Sequence, residues 1–173
     1  MPKVNTHLHI ALKLSEAMTI KDLNSFLLGN AYPDCWTNSI EKSLCYHYKD
    51  DISSLCDLDR FKRTEKMDDF NFGYYFHLWV DNRILEVDVG DITKHDCLIC
   101  DMAVITPIIH QLKQLTVTDE KLQALQNIRA LESEPMPLYL VSEDKKKRYE
   151  EILDMLVDEF IKELRHLYVG FWG

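Results

Sequence analysis

Glycine and proline are scarce in this chain, five of each among 173 residues. Turns built on them are correspondingly few, which disfavours a β architecture of many short hairpins. Positive charge is also in short supply: 20 Lys and Arg stand against 29 Asp and Glu, a net charge of −9. A nucleic-acid duplex and an anionic membrane surface would both repel such a chain, whereas divalent cations would not. No apolar run reaches the roughly 20 residues needed to cross a bilayer, so stable membrane anchoring is not expected. The opening Met1-Pro2-Lys3-Val4-Asn5-Thr6-His7-Leu8-His9 has neither an apolar core nor a small-residue cleavage site, and the expected location is cytoplasmic. Cysteines are odd in number (Cys35, Cys45, Cys56, Cys97, Cys100), which in that compartment predicts free thiols. Cys97-x-x-Cys100, with His95 nearby, lacks a second thiol pair and reads as unreactive packing.

What is present favours helix. Leu, Ile, Glu, Lys and Asp abound, and 46% apolar content in 173 residues suffices for one packed domain. A first helix is expected over 4–18, capped by Asn5 or Thr6, with His7 in its first turn and His9 on another side. A second is expected over 20–28, capped by Thr19 and stopped by Gly29-Asn30. Pro33 disfavours α geometry at Tyr32, which puts Asp34 on a turn beyond that helix. Residues 37–51 suit a short helix or an extended piece equally, and 55–67 a short helix. Phe72, Phe76, Trp79, Val80, Ile84 and Val87 recur at three- and four-residue steps and make 70–88 an amphipathic or largely buried helix. Thr93 caps a long helix to about Leu115 in which Pro107 introduces a kink, and Thr118 or Asp119 caps another to Leu131. Ser142 caps the last, whose apolar stripe runs from Tyr149 to Tyr168. The expected fold is all-α, a single-domain helical bundle over 1–173, with helices in 93–170 completing a core begun in 1–90. His110 is expected to face the core and donate to a carbonyl, His166 to be solvated, and the tail 168–173 to fold back. Lys145-Lys146-Lys147-Arg148 is expected to form a solvated face.

His77 and Asp81 lie four residues apart on one helix and therefore face the same way. In apolar surroundings each needs a partner, which can be the other, a solvent cleft or a metal. His7, Asp34 and His47 add two more imidazoles and one more carboxylate. Zinc, iron and manganese all accept such nitrogen and oxygen donors, and a helical bundle can aim several at one interior point.

The same residues carry a resemblance. Leu28-Gly29-x-x-x-Pro33-Asp34, then His47-Tyr48, then Gly73-Tyr74-x-x-His77-x-x-x-Asp81, preceded by Thr6-His7, resembles the zinc-dependent phospholipase C family and its smaller bacterial relatives. The resemblance covers the first half of the chain. It implies the helical fold of the phospholipase C and single-strand nuclease type, with Asp34, His47, His77 and Asp81 around one metal and Asp81 bridging to a second ion held by His7. Asp34 would also take the proton of the attacking water. Secreted members use a processed N-terminal amine, where this chain has Met1-Pro2. They also use a His-x-x-x-Glu motif, but His95 is followed four residues later by Ile99, with Asp101 beyond. One or two ions, zinc with iron or manganese as substitutes, are therefore expected, acting on a small soluble phosphoester or phosphodiester. The alternative is a non-catalytic helical domain that keeps a structural or ligand-binding metal site.

Overall fold

The computed structural model describes residues 3–36 and 38–171, with side chains as far as His166. Among them there is no strand. Eight α-helices follow one another: α1 Val4–Ala17, α2 Leu23–Ala31, α3 Ile40–Tyr46, α4 Leu58–Thr64, α5 Asp69–Ile84, α6 Lys94–Leu112, α7 Asp119–Ala130 and α8 Glu143–Phe171. A 3-10 turn, Tyr32–Trp36, continues directly from α2, and a second, Leu131–Ser133, follows α7. Among the described residues no helix is long and apolar enough to cross a membrane.

Side-chain caps explain most of the starts. Asp22, Ser39, Asp57 and Asp68 each accept from the amide three residues on, at the heads of α2, α3, α4 and α5. Thr19 is therefore not the cap of α2, because the Asp22 carboxylate takes both the Ser25 amide (3.0 Å) and the Ser25 hydroxyl (2.6 Å). Lys3 occupies the cap position of α1 without a side-chain capping bond. Asn5 and Thr6, expected to cap, are instead buried inside the helix and bonded across the core. Val87 lies beyond the end of α5 at Ile84. Thr118 precedes α7 without a capping bond, and the stripe position Tyr168 and the tail lie outside the described side chains.

The most extensive pairing is α2 against α5. Two glycines make it. A Cβ on Gly29 would sit 1.8 Å from the Phe70 carbonyl oxygen, and one on Gly73 would sit 1.9 Å from that of Phe26. Gly29-Asn30 thus does not stop α2; the helix runs on to Ala31, and the glycine serves a backbone approach that any side chain would block. Around this crossing Phe26, Phe72, Phe76, Trp79 and Phe160 interlock, with Phe76 and Phe160 ring centres 4.5 Å apart. Each such pair contributes about 0.5–1.5 kcal/mol beyond its buried area. Hydrogen bonds from Trp79 to Glu163 (2.8 Å) and from Arg83 to Glu159 (2.7 Å) tie α5 to α8.

In α6, Ile105, Ile109 and Leu112 face inward. His110, one position from Ile109, consequently faces out: its side chain is 65% exposed and 3.8 Å from Glu132, not bonded in the core. The basic run at the head of α8 is not uniformly solvated either. Lys147 and Arg148 are exposed, but Lys145 reaches the buried Asp96 at 3.1 Å.

Asp96 sets an acid limit on the fold. It closes a capping box with Thr93 and also accepts from Tyr139 (2.9 Å) and Lys145. Burial alone would raise its carboxyl, but the Thr93 amide, Lys145 and Tyr139 outweigh that and hold it at about 2, below the ordinary 3.8. A carboxyl depressed in the folded state contributes stability that is complete above its unfolded value and disappears as pH falls through the folded one. The urea midpoint is therefore expected to decline between about pH 4 and about pH 2, and less steeply in Asp96→Asn than in the native protein.

Candidate metal centre

Five polar side chains from four segments meet where α1, α5, the end of α3 and the first 3-10 turn come together. His77 and Asp81 stand one turn apart on α5. The His47 and His77 Nε2 atoms are 3.3 Å apart. Asp34 Oδ1 lies 3.4 Å from the first and 3.7 Å from the second, and Asp81 Oδ2 lies 3.5 and 3.6 Å from the same two nitrogens. His7 Nε2 is 3.3 Å from the other Asp81 oxygen, Oδ1, and its ring stacks on His77 at 3.5 Å. His9, on another side of α1, does not join them.

The supports behind these donors explain their aim. Pro33 has no N–H and cannot close a three-residue turn onto Asn30 O. That carbonyl, near the end of α2, accepts instead from His77 Nδ1 at 2.7 Å, while the buried Asn30 side chain donates to Gly73 O. His47 caps the C-terminus of α3, and its Nδ1 donates to Ser43 O at 2.8 Å. The chain then leaves α3 by a reversal in which Lys49 N bonds Leu44 O and Tyr48 N bonds Cys45 O. Glycine normally fills the left-handed position of that motif, but here Tyr48 does, at φ 53°. It is held there by its hydroxyl on Glu65 (2.6 Å) and its ring edge-on to Phe61.

With both Nδ1 hydrogens committed to carbonyls, His47 and His77 turn bare Nε2 lone pairs toward one another. Two lone pairs at 3.3 Å repel unless a positive charge lies between them. The carboxylates point to the same need. Burial would raise Asp34, and only a charged His77 with the contact to His47 would hold it below the usual carboxylate range; with both imidazoles neutral, a bound cation would have to supply that charge. Burial likewise opposes ionisation of Asp81, and His7 and His77 hold it well below that range. Both nitrogens of His7 and both oxygens of Asp81 are buried without a hydrogen-bond partner. Such atoms each cost about 1–3 kcal/mol when left alone, and their gathering at one point makes it a candidate cation site. A tetrahedral ion with bonds of about 2.0–2.1 Å keeps its ligand atoms about 3.3–3.4 Å apart, close to the separations here. His7, His77 and Asp81 form one group of donors able to share an ion, and Asp34, His47 and His77 another.

The donors differ in access. His7 and His77 are fully covered, Asp81 and His47 are 2% and 3% exposed, and the Asp34 side chain is 13% exposed. A cavity of about 590 Å³, lined by Tyr32, Tyr46, Tyr48 and Tyr74 with Arg60 and Lys121, lies beside residues neighbouring the donors in sequence, but none of the five lines it. A smaller one of about 240 Å³, between the start of α1 and α8, does not reach them either.

Other polar candidates lie elsewhere. His95 is exposed on the first turn of α6. Partial burial pushes the Cys97 and Cys100 thiols up to about 11, which makes both poor nucleophiles. All five cysteines are free. Asp101 was not anticipated as a structural centre: fully buried, it accepts from Asn5 (2.6 Å), Thr6 (2.8 Å), His9 (2.9 Å) and Tyr149 (2.8 Å), and so joins α1, α6 and α8. The pairing of Asn5 with His9, four apart on one helix face, was its only local signal. Comparison of the chain with protein-family models, with curated proteins and with solved structures finds no match in any of the three.

Proposed function

We propose that the protein holds a divalent transition metal through this cluster and uses it to hydrolyse a soluble phosphoester or phosphodiester. One observation carries the metal: two imidazoles locked by carbonyls present bare Nε2 atoms 3.3 Å apart, between two buried carboxylates. A dication would cancel the two negative charges and satisfy the orphaned Asp81 oxygens. The mixed nitrogen and oxygen set suits zinc first, with iron or manganese as substitutes, and not calcium or magnesium, which take oxygen alone.

The substrate class is supported by the resemblance of the Leu28–Asp34, His47-Tyr48 and Gly73–Asp81 motifs to the phospholipase C family, together with what such an ion does. When bound, it acidifies a water molecule and neutralises charge on a phosphoryl oxygen. The protein's own groups do the rest. His47 and His77, fixed from behind, present Nε2 without needing to reorganise, and Asp81 sits between them and His7. Asp34 is the donor nearest solvent and stays ionised, so it is placed to accept a proton from attacking water.

A second reading, a structural metal that staples α1, α3 and α5 together, is favoured by one observation: four donors are almost fully covered and neither cavity contacts any of them. Asp34→Asn separates the two. In the hydrolase, turnover of bis(p-nitrophenyl) phosphate per bound metal falls about 10²–10⁴-fold in the variant. A native protein that binds metal but turns over no phosphodiester would leave the staple.

A further inference from the structure

We infer that the cluster takes a single ion, and that His7 is not a ligand to a second one but the hydrogen-bond donor that orients Asp81. The inference rests on the proposed metal reading and decides a point that reading leaves open. The two donor groups, His7 with His77 and Asp81, and Asp34 with His47 and His77, share one residue, His77, whose Nε2 is the ring nitrogen left free for an ion. Its partner nitrogen is committed to Asn30 O, so His77 has one lone pair to give and serves one ion. Once it is given beside His47 and Asp34, a second ion would have only His7 Nε2 and Asp81 Oδ1 from among the described donors. Two donors fall short of the three or four that hold transition metals in proteins.

Asp81 divides its oxygens accordingly. Oδ2 lies 3.5 and 3.6 Å from the His47 and His77 nitrogens, on the side of the shared edge, while Oδ1 lies 3.3 Å from His7. The His7 ring is stacked flat on His77, 16° from parallel, and is fully buried. A ligating carboxylate whose second oxygen is held by a buried donor is the usual outer support of a metal site. His7 with hydrogen on Nε2 lies 3.3 Å from Asp81 Oδ1, within reach to donate, and that bond would satisfy two of the orphaned atoms, its own Nε2 and Asp81 Oδ1. His7 is thus a positioning residue.

The test loads metal-free full-length protein with excess zinc or cobalt, removes unbound ion, and measures bound metal and its affinity. One equivalent per chain is expected. His7→Gln, whose amide can still donate to Asp81, is expected to keep one equivalent at near-native affinity. His7→Leu is expected to keep one equivalent bound about 10–100-fold more weakly, with a shifted cobalt d–d spectrum. Two equivalents in the native protein, falling to one in both variants, would overturn the inference and leave the metal reading standing, as would His7→Gln binding no better than His7→Leu. No bound ion at all would overturn both. The native titration decides the stoichiometry even where a variant does not fold.

Discussion

Replacing His77 with alanine is expected to abolish metal binding at the proposed centre and, with it, any dependence of stability on chelator. His77 is the one residue common to both donor groups, and its Nε2 lies within 3.7 Å of His47, Asp34 and Asp81. Its loss also removes the hydrogen bond that His77 gives Asn30 O. A ligand that binds only the folded state stabilises it by about 4 kcal/mol when its free concentration is a thousandfold above the dissociation constant. The native protein is expected to lose that increment on adding chelator. His77→Ala is expected to lack it from the outset, with a thermal midpoint that ignores both added zinc and chelator. Metal content and thermal unfolding, each with and without chelator, read out both effects. A variant that retained a full equivalent would remove His77 from the site.

Alanine at Gly73 is the second large effect, and its sign is the informative part. In a helix interior, glycine to alanine normally stabilises by up to about 1 kcal/mol. Here the new methyl would lie 1.9 Å from Phe26 O, a backbone atom that no rotamer change can move. Helices α2 and α5 must part, and overpacking of this kind costs about 1–3 kcal/mol, more where backbone resists. Against a typical total of about 5–15 kcal/mol, that leaves a marginal fold. Metal binding suffers with it, because the Asn30 bonds to Gly73 O and to His77 cross the same contact. Urea unfolding of Gly73→Ala is expected to show a clear loss of stability and weaker metal retention. Stability equal to or above native would mean that the crossing is looser than described.

The long elements were legible because their signals are local. The stripe of α8, the three- and four-residue steps of α5 and the Thr93 to Asp96 cap of α6 all lie within a few residues of one another. His77 with Asp81 was readable for the same reason. Two of the misreadings come from partners distant in sequence. Gly29 resembled a helix stop because its reason, the Phe70 carbonyl, lies 41 residues on. Asn5 and Thr6 resembled caps because Asp101, which claims them, is 96 and 95 residues away. His110 is a different case: the inward set Ile105, Ile109 and Leu112 already turns it outward, and its apolar neighbours in sequence obscured that periodicity. The carbonyls that fix His47 and His77 are backbone atoms and leave no mark in side-chain patterns.

X-ray absorption at the metal edge of the purified protein tests the centre most directly. The account predicts a shell of nitrogen and oxygen scatterers at about 2.0–2.1 Å, with outer-shell features from the imidazoles of His47 and His77 that vanish in His77→Ala. Protein without metal, or a shell containing sulfur at about 2.3 Å, would contradict it.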